Sequence, residues 1–116
     1  MGSTIRSSSV VTVTILNGAA LSQAISMADY ALGSIILPAA WTAASISFKV
    51  CDSNGGTFVP LKVAAGTICE ITVAASGAYP LPAELLSCAY FKVWSETSGS
   101  DVTQGADRIL TLMLKS

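Results

Sequence analysis

The chain has 116 residues, of which 52% are hydrophobic and 11% charged, with six cations, seven anions and no histidine. Soluble domains usually carry about 25% charge, and here 17 Ala, 16 Ser and 10 Thr take much of the place of Lys and Glu. Six cations against seven anions make no basic patch for nucleic acid, and without imidazole neither a Ser-His hydrolase nor a His-ligated zinc site can be built. The low charge and high apolar content argue against disorder.

A chain of this length forms one domain that buries roughly 65% of its unfolded surface. The three cysteines, Cys51, Cys69 and Cys88, match no zinc or redox spacing and are expected as free thiols. The uncharged stretch from Tyr30 to Phe48 has the length of a membrane span, but Gly33, Pro38, Thr42 and its serines break any run of large aliphatics. The run from Val10 to Leu16 alternates with Thr, so neither a transmembrane helix nor a signal peptide is expected.

The dominant period along the chain is two. Residues 1–8 are small and polar and read as a flexible arm ahead of a single domain at 9–116. The first strand is Ser9 to Leu16, with Val11, Val13 and Ile15 on one face and Thr12 and Thr14 on the other. Asn17-Gly18 is a turn. Leu21 to Ser26 is a second extended piece with Leu21 and Ile25 as core candidates, and Leu32 to Leu37 is a third, ended by Pro38.

The cleanest alternation is Ser45 to Cys51, with Ile46, Phe48 and Val50 inward and Ser47 and Lys49 outward. Asp52 to Gly56 reads as a hairpin loop. Residues 57–63 return with Pro60 at an edge or bulge, and residues 67–75 alternate as a further strand. Residues 76–82 read as irregular because of two prolines. Pro82 to Leu86 is a short helical turn, with proline at its first position and Glu84 in the first turn. Ala89 to Glu96 is a strand, residues 97–107 a long polar loop, and Arg108 to Lys115 the closing strand. Short strands at this spacing, without a long helix, define an all-β antiparallel sandwich, jelly-roll-like or immunoglobulin-like, of about eight strands.

The residues offer little chemistry. The acids are scattered, no Asp-x-Asp calcium spacing occurs, and the Gly-rich turns at 54–56 and 98–100 lack the glycine spacing and the Lys of a phosphate loop. No base-plus-nucleophile pair exists, so no enzyme, metal or cofactor is expected. The amphipathic aromatics leave three readings open, which are core and rim packing, a sugar-binding platform, and binding to another protein. The candidate contacts for the last are Ile5 and Arg6 in the arm, Asn54 in a loop, and the amphipathic aromatics Trp41, Tyr79 and Trp94. Uncharged outward strand faces are a pairing hazard unless another subunit covers them.

Four segments together resemble small virion proteins of tailed bacteriophages. They are "TVTILNGAALSQAISMADY", "SIILPAAWTAASISFKVCDSNGGTFVPL", "PAELLSCAYFKVWSETSGS" and "QGADRILTLML", with "LPAAWTAASISFKV" and "ADRILTL" the most specific. The resemblance implies a jelly-roll protein on the capsid exterior, assembled in the host cytoplasm. It implies a decoration (cement) protein, expected as a homotrimer bound to the major capsid protein, with no contact to nucleic acid or membrane. A fibre or tail adaptor that reads a receptor or carbohydrate is the alternative, and it requires an exposed Trp41, Tyr79 or Trp94.

Overall fold

The computed structural model describes residues 8–27 and 30–116. Among them are nine strands: β1 (Ser8–Ile15), β2 (Ile25–Ser26), β3 (Leu32–Ile36), β4 (Ser45–Cys51), β5 (Val59–Pro60), β6 (Ala78–Pro80), β7 (Tyr90–Thr97), β8 (Ser100–Asp101) and β9 (Arg108–Lys115). One 3-10 turn, Ala83–Ser87, precedes β7.

The strands form two antiparallel sheets, ordered β1-β9-β3-β6 and β2-β7-β4-β5, with β8 added on β7. With the small β8 hairpin set aside, the pairing runs outermost with outermost: β1 with β9, β2 with β7, β3 with β6, β4 with β5. A long antiparallel ladder of this kind, rolled so that successive strands alternate between two sheets, is a jelly roll. Val13, Ile15, Ile35, Leu110, Leu112 and Leu114 of the first sheet and Ile46, Phe48, Phe91 and Val93 of the second form its buried core. Phe48 and Phe91 meet edge to face, with centroids 5.8 Å apart at 75°, a geometry worth about 0.5–1.5 kcal/mol beyond area burial.

The turns follow their residue chemistry. Asn17-Gly18 is a turn closed by Ala19 N donating to Leu16 O at 2.9 Å, with Gly18 at φ 80°. That value at the third turn position is why glycine stands there. Ser98 and Gly99, at φ 51° and 86°, join β7 to β8 through a two-residue hairpin. Positive φ at both positions is the primed turn that matches strand twist.

Several elements differ from the sequence reading. Residues 67–75 alternate but contribute only isolated bridges, Lys62 to Ile68 and Ile46 to Ile71, because the chain meets the β4 edge at one residue and leaves it again. Ala78–Pro80, read as irregular, is β6: it pairs with β3 as an outer strand, where proline needs no ladder donor. Of residues 21–26 only Ile25 and Ser26 are strand, and Ser22 rather than Leu21 is buried. Pro82 caps the 3-10 turn from an extended conformation, φ −66° and ψ 145°, instead of occupying its first helical position. Ser47, assigned outward by alternation, is fully buried.

Candidate docking face

The two outer faces of the sandwich are finished differently. On the four-stranded sheet the registers align outward side chains in rows across the strands. Pro80, Ser34, Met113 and Val10 make one row, and Ala78, Ile36, Thr111 and Thr12 the next. Ile109 and Thr14 continue the face. Val10 is 70% exposed, Ile109 57% and Met113 37%. The charge in these rows is Lys115, at one margin opposite Ser8. Large apolar side chains held out among hydroxyls and methyls, with charge pushed to the rim, are the composition of an interface centre.

The outer face of the other sheet closes on itself. Lys49 and Lys92 lie directly opposite one another in register, a placement that repels. Each ammonium sits over an aromatic ring instead, Lys49 over Trp94 and Lys92 over Phe58, both at 4.6 Å to the centroid. Trp94 Nε1 donates to Asp101 Oδ1 at 2.7 Å. Ser47 Oγ donates to Glu96 Oε1 at 2.5 Å, and Gly99 N donates to Glu96 Oε2 at 2.7 Å. Glu96 is thus fully buried with both carboxyl oxygens satisfied, the condition under which a buried carboxyl is tolerated.

One end of the sandwich is organised by Gln104, which is 1% exposed. Its Oε1 accepts from Thr42 N at 2.9 Å and Arg108 Nε at 3.1 Å. Its Nε2 donates to Ser95 Oγ at 2.9 Å and Thr42 O at 3.3 Å. Its backbone joins the same network, with Gly18 N donating to Gln104 O and Gln104 N to Ala19 O. Through its side chain and its backbone, one residue therefore ties the turn at 16–19, the segment after Trp41 and the start of β9 into a fixed end. By sequence Gln104 belongs to the polar loop 97–107, and a lone Gln has no periodicity that would reveal such a role.

The sequence-predicted contact residues are dispersed. Ile5 and Arg6 lie outside the described residues. Asn54 is exposed in the turn after β4. Trp41 is half-buried against the core, its Nε1 donating to Ala44 O at 3.2 Å. Tyr79 pairs with Ile35 on the inner side of β6, and its hydroxyl accepts from Ala74 N at 2.8 Å. Trp94 corrects the reading: it is 3% exposed, roofed by Lys49 and anchored to Asp101, so it is internal packing and no surface anchor. Sequence reasoning passed over Val10, Ile109 and Met113. Their signal was phase, since each is a large apolar residue at a position where its own strand otherwise places polar groups.

None of the three cysteines forms a disulfide. Burial, then the charge of Glu84 and the hydrogen bond to it, raise the Cys69 thiol above its ordinary value. That keeps it protonated and unreactive. Among the described residues no cluster of His, Cys, Asp and Glu is placed to hold a metal ion, and no helix is long and apolar enough to cross a membrane.

These features define the class: a jelly-roll sandwich with one self-satisfied outer face and one uncharged, partly apolar outer face. Neither a family model nor a curated protein sequence matches the chain. Among solved structures it is similar to the SPBc2 prophage-derived protein YomS, with a TM-score of 0.67 at 12% identity over 100% of this chain and 99% of that one. At that identity the likeness concerns the whole fold, end to end.

Proposed function

We propose that the protein is a structural component of a tailed-phage virion, a decoration protein on the capsid exterior that binds the major capsid protein. The observation that carries this reading is the uncharged outer face of the four-stranded sheet, with Val10, Ile109 and Met113 held out to solvent. The sequence resemblance to small virion proteins and the fold shared with a prophage-derived protein support the same context. Binding works by burial rather than chemistry: a stable contact removes about 800 Å² per partner from water, and each fully covered large aliphatic side chain contributes about 1.5–3 kcal/mol. The exposed aromatic platform that a carbohydrate-reading adaptor requires has no counterpart in Trp94, which is buried.

The test is made on purified particles of the phage that encodes the chain. The protein is expected in mature heads at a fixed ratio to the major capsid protein, and on the outer head surface by electron cryomicroscopy. Ile109→Lys and Thr111→Glu, each on the open face, should fold normally and be lost from heads. Absence from mature particles, a position on the tail, or normal head occupancy by both variants would overturn the proposal.

A further inference from the structure

The four-stranded sheet ends on one side in β1, and among the described residues no strand pairs with this edge. β1 pairs with β9 without a bulge over all eight of its residues. From Ser8 to Ile15 it contains no charge and no proline, so it lacks the devices that normally keep edge strands apart. The Thr14 amide donates to Gln23 Oε1 at 2.9 Å, away from β9. Backbone polarity alternates along a strand, so the amides and carbonyls of Ser8, Val10 and Thr12 also point to the free side. The Gln23 side chain covers the edge at Thr14, and among the described residues none donates to or accepts from the free side of the stretch from Ser8 to Thr12.

The other outer strands offer no match. β6 is three residues ending in Pro80, β5 is Val59–Pro60, and β2 is Ile25–Ser26. A strand from another copy that could pair with β1 along its open length is therefore β1 itself. We infer that two copies of this chain associate by antiparallel pairing of their β1 edges, about a two-fold axis at Val10. Val10 then faces its own equivalent, and Ser8 faces Thr12 of the second copy. About six backbone hydrogen bonds form between the copies, and the two four-stranded sheets become one continuous sheet.

Two observations support this arrangement independently of the backbone. On the outer face it joins the Met113–Val10 pair to its equivalent in the second copy as one apolar row, covering Val10, the most exposed large hydrophobic residue among those described. On the inner side, the shortness of β2 leaves a groove of about 490 Å³ beside β1, lined in part by Val11, Val13, Ile25, Tyr30 and Leu114. In this register Ser9 of the second copy lies opposite Val11, at the margin of this groove. The inference does not depend on the virion reading, since pairing is measured without capsid. It replaces the three-fold ring expected from the resemblance: a ring needs two different complementary surfaces, and β1 finds no second long edge among the described strands.

The full chain should sediment as a dimer and appear as a dimer in native mass spectrometry at about 100 μM, a concentration that reports even weak pairing. Val10→Lys puts two ammonium groups opposite each other on the axis, and should raise the dissociation constant at least about tenfold with an unchanged circular dichroism spectrum. Thr12→Pro, which removes an edge donor not used in the fold, should act in the same direction. Val59→Lys, on β5, should leave the dimer intact. A monomer or a trimer at that concentration, or a dimer that neither β1 variant weakens, would overturn the inference.

Discussion

Replacing Gln104 by Ala tests whether one buried amide holds an end of the sandwich together. The substitution removes four side-chain hydrogen bonds, to Thr42 N, Thr42 O, Ser95 Oγ and Arg108 Nε. At a net value of about 0.5–1.5 kcal/mol each, the loss would be about 2–6 kcal/mol. The lower part of that range is the better estimate, for two reasons. Ser95 Oγ keeps its bond to Val102 O at 2.8 Å. Thr42 is only part-buried, so water can replace what the amide supplied. A loss of about 2–3 kcal/mol follows, which for a domain of this size lowers Tm by roughly 8–12 °C. Urea melts give the free energy at constant m-value, and differential scanning calorimetry gives Tm. Exchange of the Thr42 amide should accelerate in the variant, because its acceptor is gone. Substitution of the exposed Asn54 by Ala is the control and should cost under about 0.5 kcal/mol. A Gln104→Ala variant that melts within that same margin would refute the account of this end as a network with Gln104 at its centre.

Gly33→Ala should destabilise the sheet by about 1–3 kcal/mol in urea melts. Its Cβ would lie 2.7 Å from Met113 O and 2.8 Å from Leu114 Cδ2, and the backbone of β9 cannot step aside cheaply. Cys69 should react with a thiol reagent at pH 8 only through opening of the fold, while Cys51 and Cys88, both half-exposed, react directly. Its native pKa is raised above 9.0, so the folded state retains a proton that the unfolded state loses. Stability is therefore full below the unfolded value and falls as pH climbs through that value toward the folded one. Cys69→Ala should flatten this alkaline decline, measured as unfolding free energy against pH. Trp94→Phe removes the indole donor to Asp101 and should cost about 1 kcal/mol, while eliminating the blue-shifted part of the tryptophan emission and leaving that of Trp41.

Much of the fold is legible in the chain because strand alternation is a local property. β4 and β9 run over the residues whose side chains alternate, and β1 and β7 begin or end within one residue of theirs. The turns at Asn17-Gly18 and Ser98-Gly99 are legible for the same reason, since positive φ is a property of single residues. The docking face was half legible. A low charge count pointed to covered strand faces, but which face stays open depends on what folds over each sheet. Sequence alternation places Ser47, Trp94 and Glu96 outward, on the side where Lys49, Asp101 and the 98–99 turn close over them.

The sequence alone determined an all-β chain, the inner residues of its long strands and the absence of imidazole chemistry, because each rests on residue identity or on the two-residue period. Only the tertiary structure decided that Ala78–Pro80 pairs with β3 while the better-patterned residues 67–75 do not. Pairing needs a neighbouring edge in register over several residues: β3 gives β6 three partners, whereas β4 gives its edge to β5 at Lys49 and Val50 and meets residues 67–75 only where Ile71 bridges Ile46. The same kind of non-local fact made Gln104 a structural centre, turned Trp94 inward, and left the β1 edge and the row of Val10 and Met113 open. Those outcomes depend on which surfaces arrive in contact, and no local pattern encodes that.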